Sequence, residues 1–317
     1  MKDIKITVLM PCYNAADYIA GAIQSVLTQT FPYFELLIIN DGSTDNSSAI
    51  IRSFTDERIV LIEQEQQGVA AALNNGLKHA RANYIARFDA DDSCFPNRLQ
   101  EQYNFMLAHP ACIVVGSAAY YVDHSGNYIF THLPIAKSNK EIQELAYTVC
   151  PFIHASVLYK KEVIASIGYN IHAHSFEDHL LWQQLKNKGE MYNLRYPLLS
   201  VRLNPGSFTM DERKRPAEFH SIKDTILRSG QANKAQGDKL LALIRQQNNA
   251  AVKQGAYHSL LAKKFLWNNY HPLKARQNIQ KAISLNDFDI KDYLLWLISF
   301  LPKKTIANLY SIFAVAR

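Results

Sequence analysis

The sequence predicts an α/β protein: a mostly parallel, doubly wound sheet with flanking helices, followed by a C-terminal helical region. Three observations carry that expectation. Strand-like apolar runs alternate with segments of helical period through four steps between Ile4 and Asp89, the rhythm of a parallel sheet whose crossovers are helices. Each run ends in a polar loop, on the rim where such sheets bind ligands. From Thr209 to Arg317 the pattern becomes mostly helical and rich in Lys, Gln, Asn and Ala.

Ile4, Ile6, Val8 and Met10 alternate with Lys5, Thr7 and Leu9 and mark a first strand ending at Pro11. Asn14, in the loop that follows, is placed to cap a helix, and Ile19, Ile23, Val26 and Leu27 give that helix one apolar face. Phe34 to Asn40 is almost continuously apolar, as in a strand buried on both faces. The loop Asp41 to Ser47 opens the next helix and can turn backbone N–H groups toward an anion. A third strand, Arg58 to Glu63, leads through Gln67 and Gly68 to a small-residue helix over Val69 to His79, and Tyr84 to Asp89 is the fourth strand.

Beyond Pro96 the rhythm changes. Leu99, Tyr103, Met106 and Leu107 mark a helix ending near His109 and Pro110, and Cys112–Val122 and Tyr128–Leu133 read as strands joined by a hairpin-like loop. Ser138 with Glu141 forms a capping box for a helix reaching about Val149. His154 to Tyr159 is a short strand, and Lys160 to Ile167 a short helix stopped by Gly168. A helix from Phe176 to Gly189 carries Glu177 and Asp178 in its first turn, where the helix dipole favours carboxylates even without a function. Tyr192 to Leu203 returns to strand, and Asn204 to Ser207 is a loop. The expected organisation is therefore 1–110, 111–208 and 209–317.

Composition bounds the partners. The formal charge of +6 and a pI near 9.0 admit a nucleotide diphosphate, a nucleic acid or an acidic membrane face without choosing among them. Cys12, Cys94, Cys112 and Cys150 form no CxxC pair, so reduced thiols in a cytoplasmic protein are expected. The amino terminus passes straight into a strand and shows no secretory signal. Tyr293 to Leu301 is the longest apolar stretch and falls well short of the ~20 residues that span a bilayer. With Lys303, Lys304, Tyr310, Phe313 and Arg317 it suits an amphipathic basic helix on the inner face of a membrane. The simpler reading packs the same residues onto the protein or a second subunit, as in a homodimer.

Tyr84-Ile85-Ala86-Arg87-Phe88-Asp89-Ala90-Asp91-Asp92 carries the chemistry. Here a short apolar strand runs into three carboxylates, which disfavour each other's charge unless a cation sits among them. Hard ions such as Mg²⁺ and Mn²⁺ take oxygen ligands and share them with phosphates. An acidic turn is the alternative, since Asp is an ordinary turn residue. Tyr13, Asp41 and Asp89 to Asp92 all fall at carboxyl ends of strands, and that convergence favours the metal-phosphate site. His172 and His174 with Glu177 and His179 match no standard zinc spacing. No GxGxxG follows the first strand, which argues against a nicotinamide enzyme.

An ordered series of motifs resembles the family 2 glycosyltransferases of GT-A fold. It comprises Ile6 to Asn14, Leu37 to Asp45, Tyr84 to Asp92, Pro96-Asn97-Arg98-Leu99, Val114 to Ser117, His154 to Val157 and Glu177 to Trp182. The resemblance implies that Pro11, Tyr13 and Asn14 line a nucleotide and that Asp41 hydrogen-bonds its base. In the DxD motif Asp89-Ala90-Asp91, Asp89 would face the ribose or sugar and Asp91, with Asp89, the metal. Asn74, Arg87 and Asp92 join the donor side. Asp178 matches the catalytic base of an inverting transfer, while His154, Glu177, Trp182 and Arg202 are candidates for acceptor or diphosphate contacts.

The implied cofactor is Mn²⁺ or Mg²⁺. The implied partners are a nucleotide-diphosphate sugar, UDP-linked in the first place, and a surface polysaccharide or lipid-linked glycan, with no nucleic acid. Leu73 stands where many relatives carry Arg, Ala82 where Gly is frequent, Val201 where Tyr precedes the Arg, and Asn204 where a His often occurs. A nucleotidyltransferase and a non-catalytic nucleotide-sugar binder remain as rivals.

Overall fold

The structure is a computed structural model that describes residues 3–207, 210–247, 249–285 and 290–315. Met1, Thr209, Arg317 and the side chain of Phe313, touched by the expectations above, lie outside them. The amino-terminal half alternates strand and helix as expected: β1 (Ile6–Cys12), α1 (Ile19–Leu27), β2 (Phe34–Asp41), α2 (Ser47–Arg52), β3 (Ile59–Gln64), α3 (Val69–His79) and β4 (Tyr84–Arg87). There follow β5 (Ser93–Cys94), α4 (Arg98–Ala108), β6 (Cys112–Val122), β7 (Tyr128–His132), α5 (Asn139–Leu145), β8 (Leu158–Lys160), α6 (Lys161–Ala165), α7 (Glu177–Gln184) and β9 (Glu190–Arg202). The rest is helical: α8 (Ala217–Ser229), α9 (Lys234–Gln247), α10 (Ala250–Trp267), α11 (Pro272–Ser284), α12 (Ile290–Ile298) and α13 (Lys303–Val315). Among the described residues no helix is long and apolar enough to cross a membrane.

The sheet runs β3-β2-β1-β4-β8-β6-β9-β5, with β7 beside β6. β3, β2, β1 and β4 pair in parallel, and every residue of β1 and β2 is buried, which explains their continuous apolar runs. Beyond β4 the direction changes, since β8 is antiparallel to both β4 and β6. Successive residues of β1 and β4 serve opposite faces. Val8 and Ala86 line a space with Val26 and Leu99 of α1 and α4, whereas Leu9 and Ile85 share a core with Leu73, Leu77, Ile164 and Trp182. Gly76 lets α3 lie close to the sheet, because a Cβ there would collide with the Leu9 side chain. A buried bracket holds the strand starts: Thr7 Oγ1 donates to Glu35 Oε1 at 2.6 Å, and Arg81 Nε donates to Glu35 Oε2 at the same distance. Ala82 donates its N–H to Thr7 Oγ1 at 3.2 Å and lacks a positive φ, so glycine is not required there.

Several local expectations change. β1 continues through Pro11, which pairs with Ile39 of β2 but lies past the last β4 register partner, Arg87 opposite Leu9; a missing N–H is tolerated where one neighbour has ended. His154–Ser156 forms a single 3₁₀ turn before β8. The capping box at Ser138 and Glu141 is present, but its helix ends at Leu145, and α7 ends at Gln184.

The chain divides into two compact units. The first takes the chain up to Ala119, His132–Val201 and Ser221–Lys239. The second takes Tyr120–Thr131, Arg202–His220 and the chain from Leu240. Its core gathers Ile129, Phe130, Leu203, Tyr257, Leu261, Phe265, Leu266, Ala275 and Ile306.

Candidate functional site

Strand order reverses between β1 and β4, the switch point at whose carboxyl ends open α/β sheets take ligands. The loop after β1 is laced to the loop after β2. Asn14, in a left-handed conformation at φ 48°, donates its N–H to Ser43 Oγ at 3.0 Å, and its Oδ1 accepts from Thr44 N at 2.8 Å. Ala15 N donates to Ser47 Oγ and Ala16 N to Asp45 Oδ2. Asn14 therefore ties two loops together and caps no helix; Tyr18 holds the N-cap position of α1 without a side-chain bond. Pro11 is buried beneath this loop and Tyr13 is 44% exposed. Asp41 is only 4% exposed. Its Oδ1 accepts from Gln64 Nε2 at 2.7 Å and Gln67 N at 2.9 Å, and its Oδ2 accepts from Gly68 N at 2.8 Å. That carboxylate holds the entrance of α3.

Past β4, Phe88 N still donates to Leu9 O at 3.0 Å, and the chain then turns through the acidic stretch. Asp89, Asp91 and Asp92 each offer a carboxylate oxygen, all within 4.8 Å of one another, and the small Ala90 is buried between them in sequence. Among the described residues no other group of three or more Asp, Glu, His or Cys is so placed, which leaves His172, His174, Glu177 and His179 without a shared zinc site. An oxygen-only donor set suits Mg²⁺ or Mn²⁺. Two buried guanidiniums offset part of the charge. Arg87 NH1 pairs with Asp89 Oδ2. Arg98, 1% exposed, donates to the Arg87 carbonyl at 2.8 Å and lies 5.3 Å over the Phe88 ring. Burial pulls Arg98 down to about 10, opposed by Cys94 and Asp92, so it stays cationic at neutral pH.

α7 brings a second pair of carboxyls. Glu177 is buried, and its pKa is raised to about 7, first by burial and then by the charge of Asp178; Arg87 opposes the shift and Asp89 adds to it. Those two influences link the start of α7 electrostatically to the acidic rim. Asp178 is half-buried, its Oδ1 accepting from His179 N at 2.7 Å and its Oδ2 lying 3.5 Å from the Cys150 thiol. His154 Nε2 and the Tyr169 hydroxyl are 3.1 Å apart, and burial, aided by Arg87, pushes His154 well below its usual range, so it is neutral.

Other candidate residues make bonds within the protein. Both ends of the Asn74 amide bond the Tyr169 backbone, at 2.8 Å each. Trp182 is 0% exposed and packs edge-on to Phe152 at 5.1 Å and His154 at 5.9 Å. It holds α7 in the core. His179 turns away to bond Ala146 O at 2.8 Å. Leu73 is fully buried, so an Arg at its place would have to leave the core. Arg202 belongs to the second unit, where NH1 reaches the carbonyls of Asp123 and His124 at 3.2 and 2.9 Å, and Asn204 Oδ1 accepts from Gly206 N at 2.8 Å. Arg98, Cys150 and Tyr169 were not singled out as site residues. Of these, Arg98 carries a signal in the sequence, since it lies in the motif Pro96-Asn97-Arg98-Leu99 of the series above.

The model of the family described as glycosyl transferase family 2 matches residues 7–168. Over 231 residues the chain is 32% identical to the putative glycosyltransferase EpsE of Bacillus subtilis, covering 70% of this chain and 80% of that protein. It is 29% identical to the amylovoran biosynthesis glycosyltransferase AmsE of Erwinia amylovora, over 66% of this chain and 79% of that one. It spans about half or less of several other curated relatives, such as 46% of an uncharacterized glycosyltransferase of Rickettsia conorii. Among solved structures, S. aureus TarS 1-349 in complex with UDP-GlcNAc has a TM-score of 0.55 at 16% identity, covering 97% of this chain and 92% of that one. The mannosyltransferase PcManGT from Pyrobaculum calidifontis in complex with GDP-Man and Mn²⁺ has a TM-score of 0.54 at 16% identity, over 97% and 84%. At such identities the likeness establishes the GT-A-like fold.

Proposed function

The chain belongs to glycosyl transferase family 2, and from that premise we propose that it is an inverting, metal-dependent glycosyltransferase. Its donor is a nucleotide-diphosphate sugar, a UDP-sugar in the first place. Its acceptor is a hydroxyl of a surface polysaccharide or lipid-linked glycan. The observation that carries this reading is the carboxylate trio at the β1/β4 switch point, within electrostatic reach of the α7 carboxyls. The neighbours solved with UDP-GlcNAc and with GDP-Man and Mn²⁺, and the relative named for amylovoran biosynthesis, support the classes of donor, metal and acceptor.

In this reading residues 1–110 take the donor, residues 111–208 the acceptor, and the exposed Tyr13 covers the base between Pro11 and Asn14. Asp41 acts on the base pocket by holding Gln67 and Gly68 in place. Asp91 and Asp89 hold Mn²⁺ or Mg²⁺, while Arg87 anchors Asp89 from below and Asp92 borders the donor sugar. When bound, the ion supplies Lewis acidity that offsets the charge growing on the departing diphosphate. Asp178 takes the proton of the acceptor hydroxyl as its oxygen attacks the anomeric carbon. Because that single base works opposite the leaving group, the anomeric configuration inverts. Glu177, protonated up to about pH 7, adds no second negative charge beside the base below that pH.

Isothermal titration of UDP with and without Mn²⁺ tests the donor site. Metal-dependent binding lost in Asp91→Ala is expected, and UDP binding indifferent to Mn²⁺ and to Asp91 would overturn the metal role. Release of pyrophosphate from UTP and a sugar phosphate would instead assign nucleotidyl transfer.

A further inference from the structure

We infer, building on the reading of Asp178 as the base, that Cys150 is a positioning residue for it: the thiol donates to Asp178 Oδ2 and fixes the carboxylate for the acceptor hydroxyl. The two residues are 28 apart in the sequence, and Cys150 Sγ lies 3.5 Å from Asp178 Oδ2. The fold holds the cysteine there from both sides. Where the chain leaves α5, it is pinned to α7 by His179 Nε2, which donates to Ala146 O at 2.8 Å. Just past the cysteine, Asn193 Nδ2 of β9 donates to Pro151 O at 2.9 Å, and the Phe152 ring meets Trp182 of α7 edge-on with centroids 5.1 Å apart. A short turn between two such anchors leaves the thiol little freedom.

Chemistry gives the bond its direction. Burial, and then the negative charge of Asp178, push the thiol well above its usual range, and Lys223 opposes the shift without cancelling it, so the sulfur keeps its hydrogen at neutral pH. An ionised carboxylate can only accept. The same hydrogen has a second acceptor in the Phe152 carbonyl at 3.4 Å, and of the two the charged oxygen is the stronger. On the other oxygen of Asp178, Oδ1 accepts from His179 N at 2.7 Å. With one bond on each oxygen, the group cannot turn about Cβ–Cγ without breaking one of them. The lone pairs left over, one on each oxygen out of about four in all, are therefore held in fixed directions. A base that must meet an incoming hydroxyl needs that fixed geometry.

The infrared S–H stretch of Cys150 tests the bond directly. A difference spectrum against Cys150→Ser removes the thiols of Cys12, Cys94 and Cys112. The Cys150 band is expected at low frequency, and the same difference recorded in the Asp178→Asn background should return it toward the position of a free thiol. UDP release from UDP-glucose and UDP-N-acetylglucosamine with Mn²⁺ gives the second readout. Cys150→Ala is expected to lower kcat about fivefold, the share of one modest hydrogen bond. Cys150→Ser, which keeps a donor, should stay within about twofold of the unaltered chain. Titrated UDP affinity and the melting curve should be unchanged in both. In the Asp178→Asn background Cys150→Ala should cause no further loss, because its effect passes through the carboxylate. A band indifferent to Asp178→Asn overturns the inference, as does an unchanged kcat in Cys150→Ala, an equal loss in Cys150→Ala and Cys150→Ser, or a loss repeated in full in the Asp178→Asn background. UDP release at the wild-type rate in Asp178→Asn instead takes the base away from α7, and the task of Cys150 with it, even where the band reports the bond.

Discussion

The acidic rim at the end of β4 and the acidic start of α7 are built from the same residue type and surrounded differently. At the rim, Asp89, Asp91 and Asp92 crowd within 4.8 Å while Arg87 and Arg98 lie buried beside them. At α7 burial dominates: Glu177 is buried, with Asp178 beside it, and its proton is retained to about pH 7. Crowded carboxylates beside fixed cations are suited to take a further cation. A carboxyl pair in which burial holds one proton is suited to proton transfer at its half-exposed member, Asp178. Environment separates the two tasks, and substitutions can separate them experimentally.

The largest effect is expected at Asp178. Asp178→Asn should lower sugar transfer by about 10²- to 10⁴-fold, the usual share of a general base, with titrated UDP affinity unchanged. Transfer retained at the wild-type rate would remove the base from α7. Trp182→Ala should destabilise the protein by about 3–5 kcal/mol in denaturant unfolding, since the ring is fully buried. A neutral result would mean that α7 is held by something other than that core.

Stability should depend on pH through Glu177. The Glu177 carboxyl keeps its proton up to about 7 in the folded chain, against 4.5 ordinarily. Folding therefore binds a proton, stability falls as pH rises through that window, and the whole penalty is present above it. Glu177→Gln lacks the penalty. Melting scans should show the variant matching the wild type near pH 4 and exceeding it by about 3 kcal/mol above pH 8; parallel curves would place Glu177 in water. Finally, Asp91→Asn should weaken Mn²⁺-dependent UDP binding by about tenfold to a hundredfold, comparable to disturbing a metal's supporting shell. The Glu177→Gln pH difference should persist unchanged in that background. If it vanishes, the two centres titrate as one.

Much of this was legible from local pattern. The α3 span Val69–His79, the buried β2 run, the capping box at Ser138 and the three loops on one rim follow from period, turn chemistry and caps, all properties of neighbours along the chain. The family resemblance rests on motifs of the same local kind, and the family model matches residues 7–168. Asn14 and Asn74 read as donor contacts in the sequence, and Trp182 as core or a sugar contact, because a side chain's type does not state which partner it meets. Asn14 meets Thr44, Asn74 meets the backbone of Tyr169, and Trp182 meets Phe152.

The sequence by itself determined the alternation of strand and helix, the acidic turn after β4 and the first-turn carboxyls of α7, since each depends on residues a few places apart. Only the tertiary structure decided the antiparallel turn of β8, the burial that raises Glu177, and which side of α12 faces out. Periodicity establishes that a helix has two faces. Which of them is covered depends on segments distant in the chain, and in α12 the covered face is the one holding Asp292.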